Sequence, residues 1–332
     1  GARQQRVSAP LPQAARLLDE LGLARATPAS LMARWADAAD DKETLGGRAW
    51  AVLGAGPRGP VGVDLAAEGP HLLIEGPPGS GRTELLRAVV ASLAAAERPD
   101  RLGIVLMDGR DGTGGSGGSG GGGAQHGEGL RVCTDLPHVT THLTANDPVR
   151  MREFAQSLSA ELKRRAELLG RVGFAEWHTG RELSGRIGPQ RSGSVSGSGS
   201  GAHGSNAGAS AGARVDMSGS GGGAGDLDTP PSSTLRLRPA ASRRRTETPP
   251  LARLVVVVDD LDALVSPALG SPGRPSAGSV VRALEAVARE GERLGVHLVA
   301  AAGVGGRTAE TELARGAALR VVLDAPAPAD PP

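Results

Sequence analysis

The stretch His71-Leu-Leu-Ile-Glu75-Gly76-Pro77-Pro78-Gly79-Ser80-Gly81-Arg82-Thr83-Glu84-Leu-Leu decides the fold of this chain. Its first five residues are a short apolar run between Gly69-Pro70 and Gly76-Pro77, the pattern of a buried strand. From Thr83 to Ala95, Leu85, Leu86, Val89, Val90 and Leu93 recur at helical spacing. The loop between them reads Gly-x-x-x-x-Gly followed by a cation and a hydroxyl. Its glycines let the backbone wrap closely with N–H groups inward, and the positive end of the following helix adds to that cradle. The pattern is that of a phosphate loop, with Arg82 where lysine is expected. Arginine keeps the charge but carries it on a bulkier planar fork. Gly76, Pro77, Pro78, Gly79, Ser80, Gly81, Arg82, Thr83 and Glu84 are therefore the expected nucleotide-binding residues, with the Thr83 hydroxyl on Mg²⁺. The competing reading, a glycine-rich turn without function, is weakened by the strand before the loop and the helix after it.

Working outward, Leu102–Asp108 is another buried strand, so strand, helix and strand form a right-handed parallel unit. Farther on, Leu254-Val-Val-Val-Val258 ends in Asp259-Asp260. An apolar strand ending in an acid suits a Walker B strand, whose Asp259 would hold Mg²⁺ through water or through Thr83. Asp260 stands where an active hydrolase of this class usually has glutamate to orient the attacking water, and is the candidate catalytic residue. It is one methylene shorter, about 1.5 Å of reach, and a misplacement of roughly 1 Å can cost on the order of a hundredfold in rate. By itself, this segment reads equally well as a buried strand followed by acidic helix-capping residues. Val280–Leu294 is expected to be a helix, and Val296–Ala302 and Leu319–Leu323 strands. Strands alternating with helices predict an α/β fold with a mostly parallel sheet covered on both faces. Residues 1–66 form a smaller lead-in: helices over 11–22 and 29–39, then strands near Trp50 and Val61 joined by a Gly/Pro turn. Asp147–Leu169 is a long helix with a polar face rich in Arg and Lys.

The chain has 332 residues, but its 51 Gly and 24 Pro are concentrated. A Gly-rich loop at 112–124, a Gly/Ser tract over 185–250 and a loose tail at 325–332 interrupt or follow the folded segments, 67–183 and 252–324. Such segments bury too little apolar surface to offset their ordering entropy and are expected to be disordered. There are 3 Trp, 2 Phe and no Tyr, so the core is built from Leu, Val, Ile and Ala, and an aromatic base-stacking surface is disfavoured. A net charge of +1 supplies no general pull toward nucleic acid. One cysteine, Cys133, excludes an internal disulfide and a Cys-rich zinc site, and fits a reducing compartment. No run of eighteen apolar residues occurs. The start, Gly1-Ala-Arg-Gln-Gln, has neither an initiator methionine nor a signal-peptide core, so the chain is expected to be part of something longer. His71 and His297 read as structural histidines, Arg236–Arg245 as a solvated linker end, and Lys163, Arg164 and Arg165 equally well as solvent-facing.

Beyond the loop, Val63-Asp-Leu-Ala-Ala-Glu-Gly-Pro-His71-Leu-Leu-Ile and Glu84-Leu-Leu make the chain resemble the FtsK/SpoIIIE family. The likeness is closest to the ATPase domains of type VII secretion systems and their actinobacterial relatives. Leu106-Met-Asp108, Asp135-Leu-Pro-His138, Ala160–Arg165, Leu294-Gly-Val-His297-Leu and Trp35 fall in the family's order, over roughly 28–183 and 252–324. The resemblance implies a RecA-like P-loop NTPase using ATP and Mg²⁺. It also implies a homo-oligomer, a hexameric ring with nucleotide between subunits, moving DNA or a secreted-protein cargo. It places the domain in the cytoplasm, at the membrane's inner face only through segments outside this chain. Family members often end the sensor strand in Ala-Thr-Gln, whereas here the run is Ala301-Ala302-Gly303. With Arg82 and Asp260, three positions in one site drift together, which points to weakened hydrolysis. A non-hydrolysing regulatory module and a scaffold with a relic phosphate loop are the alternatives; turnover separates the first from a motor, and nucleotide binding separates the second.

Overall fold

The computed structural model describes residues 11–12, 14–40, 48–110, 129–186, 251–267 and 274–325. The Gly-rich loop 112–124, nearly all of the tract expected over 185–250, the Arg236–Arg245 cluster and residues 326–332 lie outside them. The described elements belong to one unit, Gly1–Arg186 with Pro250–Pro332.

In chain order these are α1 (Leu17–Glu20), α2 (Pro28–Asp40), β1 (Trp50–Gly56), β2 (Gly59–Asp64), β3 (His71–Glu75), α3 (Arg82–Ala96) and β4 (Leu102–Asp108). Then follow β5 (Val139–Thr144), α4 (Pro148–Leu169), α5 (Phe174–Arg186), β6 (Arg253–Asp259), α6 (Leu261–Val265) and α7 (Arg274–Leu294). Last come β7 (Val296–Ala302), α8 (Gly306–Ala309), α9 (Glu312–Gly316) and β8 (Leu319–Val322).

The main sheet runs β5-β4-β6-β7-β3-β8, with every pairing parallel. This is the α/β, RecA-like architecture expected. Strands buried on both faces must be apolar at successive positions, and period-2 alternation sends neighbours to opposite sides. Leu72, Ile74, Ile104, Leu106, Val255, Val257, Val299 and Ala301 pack with Leu86, Val89, Val90 and Leu93 of α3. Leu73, Met107, Val256, Val258, Leu298, Ala300 and Ala302 pack on the other face with Met151, Leu158 and Leu162 of α4 and Val280, Leu284 and Val287 of α7. Full burial of each large aliphatic side chain is worth about 1.5–3 kcal/mol. β7, whose seven residues are all buried, separates the phosphate-loop strand β3 from the acidic strand β6. Register aligns Glu75 with Ala302, and Asp108 with Asp259, so their ends share one edge of the sheet. Open α/β sheets bind ligands outside this carboxyl edge.

The lead-in is an antiparallel hairpin, β1–β2, fastened to α3 where the Val52 amide donates to Ser92 Oγ at 2.9 Å. Trp35 of α2 donates its indole N–H to Ala94 O at 3.0 Å. The helix expected over 11–22 shrinks to Leu17–Glu20. Leu17 and Leu21 reach the small cluster around Val52 and Ala95, whereas Leu11 is 69% exposed. A short helix does not repay its nucleation where only part of its stripe finds a partner. α4 begins as expected: the Asp147 carboxylate accepts from the Val149 and Arg150 amides, and Pro148 occupies the first turn. β5 and α5 were not foreseen. β5 is an edge strand of mixed exposure, Val-Thr-Thr-His-Leu-Thr, with no clean apolar alternation.

Arg165 corrects the solvent-facing alternative for its segment. It is 3% exposed, and its guanidinium donates to the carbonyls of Ala252, Leu294 and Gly295 while pairing with Glu161. Burial pulls its pKa down, against the support of Glu161. Thus α4 is stapled to the entry of β6 and the turn before β7. His71 and His297 are structural, as expected. His71 Nδ1 accepts from the Leu298 amide at 3.1 Å. His297 Nδ1 donates to Pro70 O at 2.9 Å, leaving Nε2 to accept from Arg253 at 2.6 Å. Burial holds His71 down to about 4 and His297 well below its ordinary value.

Two outcomes follow for stability. Arg165→Ala strands three carbonyls and should cost about 3 kcal/mol in urea unfolding. Lys163→Ala, at a 78% exposed side chain, should stay within about 0.5 kcal/mol. For the histidines, a depressed folded pKa means the unfolded chain binds the extra proton, so stability falls as pH drops through about 6.5. His71→Asn, whose Oδ1 can replace the Nδ1 acceptor, should remove about 1.4 kcal/mol of the loss between roughly pH 7.5 and 5.5. Paired pH-dependent unfolding curves test this.

Candidate nucleotide-binding site

The phosphate loop leaves β3 at Gly76, whose amide donates to Ala302 O at 3.2 Å, tying the loop to the end of β7. Gly79 and Gly81 take φ of 80° and 89°, a region in which any side chain is strained. Pro78, Gly79 and Gly81 are exposed, so the loop's outer surface is open to a ligand. Ser80 Oγ folds back over Gly76, buried and without a hydrogen-bond partner among the described residues. Arg82 Nη1 is likewise buried without one. A buried donor without an acceptor is costly, and two of them beside a helix N-terminus match the demand of a phosphate group.

Across the sheet edge, the Thr83 hydroxyl donates to Asp259 Oδ2 at 2.7 Å. Asp259 Oδ1 accepts the Asp260 amide at 2.9 Å. Burial raises the Asp259 pKa, the Thr83 bond opposing it and the nearby Asp108 carboxylate adding to it. A desolvated carboxylate beside a hydroxyl fits Mg²⁺, which is usually held by one or two carboxylates with phosphate oxygens completing its shell. Among the described residues no cluster of three or more His, Cys, Asp or Glu offers a denser metal cage.

Asp260 has φ 51° and ψ 54°, the left-handed backbone, and no other non-glycine among the described residues has positive φ. Aspartate tolerates this conformation better than most residues. The turn also presses on β4: a Cβ at Gly109 would lie 2.2 Å from Asp260 O. The Asp260 carboxylate pairs with Arg110 Nε at 2.5 Å. Burial raises its pKa, and Arg110 pulls it back. Next in the sheet, Asp108 is 6% exposed and accepts from the Leu130 amide at 3.0 Å, with His142 Nε2 at 2.7 Å.

Residues 48–116 match the FtsK/SpoIIIE family. The match includes the phosphate loop and β4 and ends before β6. The chain is 30% identical over 127 residues to the ESX-5 secretion system protein EccC5 of Mycobacterium marinum, covering 38% of this chain and 8% of that protein. It is 28% identical over 132 residues to the type VII secretion system protein EssC of Staphylococcus aureus, covering 40% and 8%. It therefore spans under a tenth of the length of these relatives. The cytoplasmic domain of the Thermomonospora curvata type VII secretion ATPase EccC superposes with TM-score 0.57 at 18% identity, covering 93% of this chain and 27% of that one. A structure of ATPases 2 and 3 of the same EccC, in complex with a signal sequence peptide, gives 0.51 at 19% identity, covering 86% and 37%. At these identities the likeness establishes the fold.

In the structure Gly76 through Thr83, Asp259 and Asp260 converge at one edge of the sheet. Glu84 is the exception: its exposed carboxylate is engaged by Arg87 at 2.7 Å. Cys133 is buried and its thiol pKa is pushed up by burial, which removes it as a nucleophile. Sequence reasoning missed Arg110, His142 and Asp262. The carboxylate of Asp262 receives the Gly303 amide at 2.5 Å and the Thr308 hydroxyl, with Arg82 Nη1 at 3.9 Å. Its spacing in Asp259-Asp260-Leu261-Asp262 was the available signal; Arg110 and His142 carried none.

Thr83→Val preserves side-chain shape but strips Asp259 Oδ2 of its donor. Unfolding should become easier by about 1–2 kcal/mol without ligand. Nucleotide affinity should lose its dependence on Mg²⁺, as titration with and without the metal will reveal.

Proposed function

We propose that this domain binds Mg-ATP as part of a larger secretion or translocation motor and hydrolyses it slowly. The observation that carries the reading is the 2.7 Å contact from Thr83 to Asp259, which sets a metal-holding pair beside the phosphate loop. In this reading the loop Gly76–Gly81 wraps the phosphates, with backbone amides offered by Gly79 and Gly81, since Pro77 and Pro78 carry no N–H and the Gly76 amide is bonded to Ala302 O. Arg82 supplies the charge, and Thr83 and Asp259 hold Mg²⁺, which neutralises charge developing on the phosphate oxygens. Asp260 is the residue left to orient water.

Three features support weak turnover. The Asp260 side chain is short and is engaged by Arg110. Arg82 replaces the compact ammonium of lysine. The end of β7, Ala302-Gly303, offers neither hydroxyl nor amide side chain to a γ-phosphate. The Arg110 contact also favours the second reading, a regulatory module whose bound ATP stiffens an assembly without turnover.

For cargo, a secreted protein is favoured over DNA. The chain's net charge of +1 offers little general grip on a polyanion. One structural neighbour was solved with a signal sequence peptide. Assembly into a homo-oligomeric ring and residence at the cytoplasmic face of a membrane complete the proposal. No helix among the described residues is long and apolar enough to cross a membrane, so attachment would come through other segments or partners.

The test joins Mg-ATP calorimetry to phosphate release, for the unmodified chain and for Arg82→Lys with Asp260→Glu. The expected result is micromolar binding with negligible release, and a rise in release of at least about tenfold in the double variant. Brisk release by the unmodified chain would make it a working motor despite the drifted residues. Absence of binding would leave a scaffold.

A further inference from the structure

We infer that Asp262 reads nucleotide occupancy through Arg82 and passes it to the segment after β7, taking over the part that Ala302 and Gly303, with neither hydroxyl nor amide side chain, cannot play. This rests on the proposed binding of Mg-ATP. Asp262 sits in the first turn of α6, two residues past the left-handed turn at Asp260. One of its oxygens, Oδ2, accepts the Gly303 amide at 2.5 Å and lies 3.9 Å from Arg82 Nη1. The other, Oδ1, accepts the hydroxyl of Thr308, a buried residue of α8. A single carboxylate thus joins the phosphate loop, the end of the sensor strand and the helix beyond it.

The Arg82 contact is the loose member of this set. At 3.9 Å it is an ion pair without a hydrogen bond, and Nη1 has no other acceptor among the described residues. The guanidinium is therefore placed to choose between two anions, the Asp262 carboxylate and a phosphate in the loop. Its fork and length suit this choice; the shorter lysine ammonium has a single point of attachment and less reach. A bound phosphate carries more charge and offers several acceptor oxygens, so it wins the guanidinium. The carboxylate then gives its full charge to the Gly303 amide and the Thr308 hydroxyl, and charge-assisted bonds of this kind strengthen when no cation competes for the same oxygen. Gly303, which lacks a side chain, is coupled through its backbone instead. The predicted consequence is that nucleotide tightens residues 303–309.

The experiment is amide hydrogen exchange on the full chain, with and without Mg²⁺ and a non-hydrolysable ATP analogue, alongside calorimetry with the same ligand. The unmodified chain should show exchange at 303–309 slowed several-fold by nucleotide. Asp262→Asn keeps the size but not the charge. It should bind the analogue about three- to fivefold more tightly, since Arg82 no longer has a rival anion, and its exchange at 303–309 should be the same with and without ligand. Arg82→Lys provides a second variant with Asp262 intact. It should bind the analogue and likewise show no ligand effect at 303–309. Binding by the unmodified chain with no change at 303–309 overturns the relay while leaving the proposed function standing. So does a ligand effect that persists in both variants. No binding by the unmodified chain overturns both.

Discussion

Thr83 and Asp259 are 176 positions apart in the chain and 2.7 Å apart in space. That contact exists because β7 lies between β3 and β6 in a parallel sheet whose register brings the ends of all three strands to one edge. Everything at the site depends on this alignment. Shifting β6 by one residue against β7 would turn Asp259 to the other face and send Val256 and Val258 out of their cluster, because side chains alternate along a strand. The core on both faces therefore enforces the position of the site. The buried valines of β6 and the wholly buried β7 hold the two polar ends where they can meet.

Holding an acid there has an electrostatic consequence. Asp259 is desolvated and its pKa raised, relieved in part by Thr83 and aggravated by Asp108 next to it. Asp260 and Asp262 follow within three residues, so four carboxylates crowd one edge. The structure disperses them: Thr83 donates to Asp259, Arg110 pairs with Asp260, His142 bonds Asp108, and Asp262 is satisfied by the Gly303 amide and Thr308. Each donor comes from a different element, so the edge is held by cross-links between elements rather than by local turns. A divalent cation and a nucleotide placed among these acids would act on the whole set.

Asp260 and Arg82, the residues that differ from the expected pattern, each have a further partner in this setting. Asp260 is shorter than glutamate, and it also begins α6 in a left-handed turn with its carboxylate given to Arg110. Arg82 differs from lysine in its second anionic neighbour, Asp262, as well as in its bulk. These partners come from β4's end and from α6, and each gives the side chain an opposite charge.

The sequence by itself determined the strand–loop–helix at residues 71–96, the acidic end of β6, the α/β class and the order of the main strands along the chain. Those features rest on short-range physics: apolar runs, helical spacing and glycine where φ is positive. It foresaw only part of the lead-in, since α1 keeps just the turn that finds apolar neighbours. It left β5 unseen because an edge strand bearing Thr, His and Thr has no clean periodicity. Only the tertiary structure decided that Arg165 is a buried staple rather than a solvent-facing charge, and that Arg110, His142 and Asp262 belong to the site. The reason is that a charged side chain looks the same in sequence whether water or a distant carbonyl satisfies it. Its partner is chosen by strand order and register, which long-range packing sets.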